Sequence, residues 1–286
     1  MFIPRKILEA KLLEIFAEDV GQGDATVSAI VPAETIVEAE IIAKENGVAA
    51  GIEETIVLAE SLGLNVDAEV ADGDLFKNKQ VIVRLAGHAR TILTVERTML
   101  NLLSRMSGIA TTTRKLAEKI RKANLTTRIA ATRKTAPGLL FFDKKAVQLG
   151  GGDPHRMHLD DLVLIKDNHI TIIGSVGDAV KKARTKVSFT KEIEVEIATP
   201  EEATQAAEAG ADIIMLDNFS PEQIKQTVEL LKKTGHFGKV ILEASGGIIA
   251  ENLLEYALTG VDVLSLGEMT HSVKSLDLNL EITRVR

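Results

Sequence analysis

The sequence has no cysteine, no tryptophan and a single tyrosine. Without cysteine there is no disulfide, no thiol nucleophile, no thiolate zinc site and no cysteine-held iron–sulfur cluster. Aromatic residues are only 3% of the chain, so aliphatic side chains must fill the core. No run of 18 apolar residues occurs, so no transmembrane helix is expected. Arg5, Lys6, Glu9 and Lys11 interrupt the apolar residues of the N-terminus, which therefore does not read as a secretory signal. A reducing, cytoplasmic setting is the expectation. The chain also lacks an excess of positive charge. Its net charge of −7 argues against general nucleic-acid binding.

What is present fits a folded globular protein. Of 286 residues, 45% are hydrophobic and 26% charged, a balance that disorder does not show. The length suits two domains or one barrel. Charge is unevenly spread: residues 97–166 hold 14 Lys/Arg against 5 Asp/Glu, a local +9, which leaves −16 elsewhere. A basic middle in an acidic chain points to a local site for a small, highly anionic ligand.

The first 95 or so residues read as a small α+β unit. Helical spacing covers 4–16 and 51–64, strands are expected at 25–31, 36–43, 81–85 and 91–94, and Asp72-Gly73-Asp74 marks a turn. A helix follows over 95–106. From about residue 125, short β-branched runs alternate with helical runs, and each strand ends in a polar or glycine residue. The expected strands are 127–131, 162–165, 192–195, 213–216, 240–242 and 261–264, with helices at 201–209, 221–233 and 249–259. Such repeated βα units imply a parallel sheet. No GxGxxG follows the first strand, which counts against a dinucleotide fold. In an α/β barrel the carboxyl ends of the strands carry the chemistry.

Those ends hold a coherent set. Thr132-Arg133-Lys134 offers a bidentate fork and a point charge for carboxylate or phosphate. Gly150-Gly151-Gly152 leads into His155 and Arg156, and Lys166 ends the next strand. Glu196 and Asp217 end successive strands, a pair able to hold Mg²⁺, accept ribose hydroxyls or act as acid and base. Ser245-Gly246-Gly247 and Ser265-Leu266-Gly267 read as phosphate cradles, the first before a helix expected near Ile249. His155 and His158 have HxxH spacing, but Asp160-Asp161 precede a strand rather than share a helix face, so structural zinc is not expected. Each motif alone has an ordinary explanation as a solvated charge run or a tight turn. Together they suit a phosphorylated sugar plus an anionic second substrate.

Ordered motifs make the chain resemble the quinolinate phosphoribosyltransferase family, the carboxylating nicotinate-nucleotide pyrophosphorylases. They are Glu96-Arg97-Thr98-Met99-Leu100-Asn101, Ser107-Gly108-Ile109-Ala110-Thr111, Thr132-Arg133-Lys134-Thr135, Gly150-Gly151-Gly152 through His155-Arg156, Val163-Leu164-Ile165-Lys166-Asp167-Asn168-His169, Glu194-Val195-Glu196 and Leu216-Asp217-Asn218-Phe219. The resemblance runs from Glu18 to Val273. It implies an N-terminal α/β sandwich over 1–108, to which 272–286 return, and an incomplete seven-stranded α/β barrel over 109–271. It also implies a homodimer or hexamer with active sites shared across the dimer, and no nucleic-acid or membrane partner.

Carried over by position, the resemblance gives quinolinate to Arg97 (reaching in from the partner), Thr132, Arg133, Lys134, His155, Arg156 and Lys166. It gives phosphoribosyl pyrophosphate to Glu196, Asp217, Ser245, Gly246, Gly247, Ser265, Leu266, Gly267 and His271, with Mg²⁺ at Glu196 and Asp217, directly or through water. The catalytic set would be Lys134, Lys166, Glu196 and Asp217. The implied reaction yields nicotinate mononucleotide, pyrophosphate and CO₂. Ala136, Pro154 and His158 depart from the family's usual residues, none at a ligand position, so altered loop packing is expected. Three alternatives remain: a phosphoribosyltransferase for a monocarboxylate, a non-catalytic oxyanion-binding relative, and a phosphosugar isomerase. The cation count disfavours the first, the Glu196/Asp217 pair the second, and the lack of an identifiable sugar-facing base the third.

Overall fold

The computed structural model describes residues 3–286. In chain order its elements begin with α1 (Arg5–Val20), α2 (Ala25–Ile30), β1 (Ile36–Ala43), β2 (Gly47–Val48), α3 (Ile52–Ser61), β3 (Asn65–Ala68), β4 (Leu75–Phe76), β5 (Val81–His88) and α4 (Ala89–Lys122). There follow β6 (Arg128–Ala131), α5 (Leu140–Leu149), β7 (Val163–Ile165), α6 (Asp167–Ile173), α7 (Val176–Arg184), β8 (Ile193–Ile197), α8 (Pro200–Ala209), β9 (Ile213–Asp217) and α9 (Pro221–Lys233). The last are β10 (Ile241–Ser245), α10 (Leu253–Ala257), β11 (Val263–Leu266), α11 (Glu268–His271) and β12 (Leu278–Val285). No helix among the described residues is long and apolar enough to cross a membrane.

The chain divides into two compact units. One comprises Met1–Arg114, Lys145–Gly151 and Val273–Arg286; the other comprises Lys115–Lys144 and Gly152–Ser272. The first is built on an antiparallel sheet in the order β12-β1-β5-β3. Strand β1 alternates strictly, burying Val37, Ala39, Ile41 and Ala43, and pairs on one side with β5 and on the other with β12. That alternation is the period-2 signature of a half-covered sheet. Asp72, in the turn before β4, accepts from the backbone N–H groups of Gly51 and Ile52 at 2.8 Å each and so caps α3.

Two expected strands of this unit are helical. Residues 25–31 form α2 because the Asp24 side chain accepts from Val27 N at 2.8 Å, an N-cap that outweighs the β-branched composition. Residues 91–94 open α4, whose buried face begins at Ile92 and continues through Val95, Met99 and Leu103. The 3.6-residue period thus starts before Val95, and β5 runs on through Gly87 to His88.

The second unit is a parallel sheet in the order β6-β11-β10-β9-β8-β7. Six strands are present among the described residues. The seventh position of the expected barrel is a single parallel bridge, Ala130 to Asp153, on the outer edge of β6. There Asp153 N donates to Ile129 O at 2.7 Å and Ala131 N to Asp153 O at 3.0 Å. The helices follow their sequence signals. Ser220 caps α9 with Pro221 at its first turn, and Glu202 accepts from Thr199 N to close α8. The helix expected from 249 is short. Asn252 accepts from Ile249 N and donates to Gly247 O, closing a turn over these residues, so α10 begins only at Leu253.

Candidate active site

Alternation along the parallel strands sorts the inward-facing residues into two layers at the carboxyl edge. Asp217 and Ser245 end β9 and β10, Glu196 is the last residue but one of β8 and Lys166 directly follows β7; two residues earlier lie Leu164, Glu194, Met215 and Glu243. Above this edge opens a cavity of about 530 Å³, the size of a small-molecule site. The upper layer and the loops that follow line its rim with Thr132, Arg133, Lys134, Arg156, Lys166, Asp167, Glu196, Asp217, Asn218 and Ser245. Leu164, Met215, Glu243, Ser265, Ala131 and His155 also face it.

Four cations therefore meet two carboxylates of the expected set in one space. Lys166 Nζ is hydrogen-bonded to Glu196 Oε1 across the rim. Asp217 is exposed and accepts from its neighbour Asn218 Nδ2 at 2.9 Å. Asn218 takes a left-handed φ of 56° and donates from its backbone to Ser245 O at 2.8 Å, which ties the β9 loop to the β10 loop. Only glycine fits beside it: a Cβ at Gly246 would lie 2.2 Å from Asn218 Oδ1. Lys134 is held from two sides. Its carbonyl accepts from Thr270 Oγ1 at 2.8 Å, and its backbone N–H donates to Thr132 Oγ1 at 3.2 Å. At Gly267 a Cβ would stand 2.9 Å from the His271 ring and 3.2 Å from Lys134 Cδ, so this glycine gives room to both side chains.

The layer below the rim is polar where a barrel interior is ordinarily apolar. Glu243 is 2% exposed; its Oε2 lies 3.1 Å from His155 Nε2, and its Oε1 accepts from Ser265 Oγ. Glu194 is fully buried, and neither of its carboxylate oxygens has a hydrogen-bond partner. Burial and the neighbouring Glu243 charge push the Glu194 carboxyl up to about 7. His155 has a left-handed φ of 52°, a conformation costing an L residue roughly 1–2 kcal/mol. Burial disfavours its imidazolium, the Glu243 hydrogen bond and charge and then the Glu194 charge favour it and raise its pKa, and the Arg156 N–H aimed at Nδ1 opposes a proton on that nitrogen. Arg156 N donates to His155 Nδ1 at 2.7 Å, so both ring nitrogens are engaged within the protein. Burial and then the facing Arg133 guanidinium lower the Arg156 pKa, the mark of cations held close together for an anion. Lys144, from α5, is fully buried below the loop; its Nζ donates to Pro154 O, and burial lowers its pKa to about 8.

Of the residues expected from the sequence, Thr132, Arg133, Lys134, His155, Arg156, Lys166, Glu196, Asp217, Ser245 and Ser265 line this one cavity. Gly246, Gly247, Leu266, Gly267 and His271 are not among its lining residues. The Leu266 side chain is in the core, and the Ser245-Gly246-Gly247 turn is not followed directly by a helix. Arg97 is exposed on α4, in the first unit. The reading from sequence missed Glu194, Glu243, Asn218 and Lys144. A charged residue two positions before a predicted rim residue, in Ile193-Glu194-Val195-Glu196 and Leu242-Glu243-Ala244-Ser245, was the available signal for the first two.

A parallel α/β sheet with cations and paired carboxylates at its carboxyl edge defines an enzyme of anionic small molecules, built on the barrel plan. The profile of the quinolinate phosphoribosyl transferase N-terminal domain matches residues 24–107, and that of the C-terminal domain matches 109–281. The chain belongs to the quinolinate phosphoribosyltransferase family. It is 49% identical over 269 residues to a probable carboxylating nicotinate-nucleotide pyrophosphorylase of Methanothermobacter thermautotrophicus, covering 94% of this chain and 96% of that one. To the carboxylating nicotinate-nucleotide pyrophosphorylase of Homo sapiens it is 38% identical, covering 86% and 82%. The solved structure of the nicotinate-nucleotide pyrophosphorylase from Francisella tularensis superposes with a TM-score of 0.89 at 36% identity, covering 100% of this chain and 98% of that one.

Proposed function

We infer that the chain transfers the phosphoribosyl group of phosphoribosyl pyrophosphate to quinolinate with loss of CO₂, forming nicotinate mononucleotide and pyrophosphate in NAD biosynthesis. The observation that carries this reading is the meeting of Arg133, Lys134, Arg156 and Lys166 around one cavity. A ring acid with two adjacent carboxylates needs several fixed cations in a sheltered site; a monocarboxylate does not.

In this reading the pyridine nitrogen attacks the anomeric carbon as the bond to pyrophosphate breaks. Positive charge then develops on the ribose beside Glu196 and Asp217, which also accept its hydroxyls. Lys134 and Lys166 face the negative charge gathering on the leaving group. The carboxylate next to the ring nitrogen then departs as CO₂, and the electron pair left on that carbon takes up a proton. The pyridinium nitrogen stabilises the pair, so the protein need only hold the ring.

The donor set fits magnesium. Glu196 and Asp217 present hard oxygen ligands at the ends of adjacent strands, and an ion kept there through its waters would supply counter-charge to the pyrophosphate. The reading extends to a cytoplasmic homo-oligomer, a dimer or a hexamer, in which Arg97 serves a neighbouring subunit's cavity. Its support is the exposure of Arg97 on α4.

The test is a product assay with purified protein, phosphoribosyl pyrophosphate and Mg²⁺, supplying quinolinate or nicotinate in parallel. Nicotinate mononucleotide from quinolinate alone, dependent on Mg²⁺, is expected. Product from nicotinate alone would overturn the substrate, and product from neither would overturn the activity.

A further inference from the structure

A chain of hydrogen bonds runs beneath the cavity. Ser265 Oγ donates to Glu243 Oε1, and the other carboxylate oxygen faces His155 Nε2 at 3.1 Å. Across the ring, Arg156 N donates to His155 Nδ1 at 2.7 Å, while His155 N donates to Asp153 Oδ1 at 2.7 Å. A backbone N–H can only donate, so Nδ1 is the acceptor and the ring proton sits on Nε2. Glu243 thus receives a donor on each oxygen, and every polarity in the chain is fixed.

The same polarity removes a competing assignment. His155, Glu194 and Glu243 bring three ligand atoms within 4.8 Å of one another, the spacing of a cation site. A metal-bound Nε2 would need its proton on Nδ1, where the Arg156 N–H already points. The cluster orients a ring instead of binding an ion.

We propose that Glu243 is a positioning residue for the anionic ring substrate: it holds His155 in the Nε2–H form, and the ring fixes the Arg156 main chain that delivers the guanidinium to the cavity. In this role Glu243 acts through His155, each of its oxygens already taking a donor from the protein. The proposal rests on the reading that a pyridine dicarboxylate occupies the cavity beside Arg156.

The experiment compares Glu243→Ala and Glu243→Gln with the unmodified enzyme, and reads the His155 tautomer by ¹⁵N chemical shifts of histidine-labelled protein. Glu243→Ala should raise KM for quinolinate about tenfold, the worth of one charge-assisted hydrogen bond. KM for phosphoribosyl pyrophosphate and kcat should stay within about twofold, because neither depends on Arg156 placement. Glu243→Gln should stay close to the unmodified enzyme, its carbonyl accepting from Nε2 and its amide donating to Ser265 Oγ. Equal rises in both KM values, or a Gln variant as impaired as the Ala variant, would overturn the positioning role. So would a His155 proton found on Nδ1. If Glu243→Ala does not fold, the Gln variant and the tautomer decide. If the unmodified enzyme makes no product from quinolinate, the functional reading fails, and the tautomer still decides the Glu243–His155 arrangement.

Discussion

Lys166 Nζ and Glu196 Oε1 are joined by a hydrogen bond across the cavity rim, with the lysine side chain 45% exposed and the glutamate 15%. With its lysine so exposed the pair contributes little to folding, yet it places a cation and an anion where two substrates are expected to meet. Lys166→Ala is therefore expected to lower kcat/KM by about 10- to 100-fold, the loss of one charge-assisted contact. Unfolding stability should move by less than about 1 kcal/mol. Steady-state kinetics beside a urea titration checks both, and a large loss of stability with retained kinetics would refute the assignment.

A second ion cluster has the opposite character. Lys145 Nζ lies 2.6 Å from Glu53, 2.8 Å from Glu54 and 3.2 Å from Asp72, with the Lys145 side chain 5% exposed and Glu54 fully buried. Lys145→Met should destabilise by about 3–5 kcal/mol, because it leaves the buried Glu54 carboxylate without its counter-charge. Adding Glu54→Leu should recover part of that loss. Urea midpoints of the single and double variants give the answer.

Lys144 supplies a pH dependence. Burial lowers its pKa from 10.5 to about 8, so between these values the unfolded chain binds more protons than the folded one. Stability from this group therefore rises with pH across that window and is absent below it. The unmodified protein should gain stability between pH 8 and 9.5 relative to Lys144→Met, in which the rise is gone. Urea unfolding at pH 7.5, 8.5 and 9.5, a series of about one-unit steps, would expose a flat difference if the idea is wrong.

Gly108 tests a close approach. A Cβ there would stand 2.2 Å from Lys274 O and 3.0 Å from Ser275 Cα. Alanine should gain about 1 kcal/mol of helix propensity in α4. Overpacking costs about 1–3 kcal/mol, and the obstructing atoms are backbone, which cannot rotate away. Gly108→Ala should thus lower the thermal midpoint, and a raised midpoint would show that the C-terminal segment gives way.

Much of the second unit was legible because β-branched runs and polar strand ends recur with the βα period. The rim residues Lys166, Glu196 and Asp217 follow directly from that pattern. The layer beneath did not, since Glu243 sits inside an apolar run, Glu194 stands between the acidic residues Glu192 and Glu196, and only the two-residue alternation from the rim marks both as inward-facing. His155 was legible as a cavity residue, but not its engagement by Glu243 and Arg156 N, which depends on a left-handed backbone angle. In the first unit the β-branched residues of 25–31 and 91–94 misled. An aspartate cap in one case and a helical period beginning at Ile92 in the other overrode intrinsic preference.

Strand β12 lies along β1, with Val37 opposite Val285. The first strand of this sheet is thus made early in synthesis, while its outer neighbour β12 is made only after every strand of the parallel sheet. Until then one edge of β1 stays bare, and the parallel sheet has had time to form first. Closing so long a loop is slow compared with the local βα contacts. The order of birth along the chain therefore runs against the order of completion, and the nascent N-terminal sheet is the part most exposed to capture by another unfinished chain.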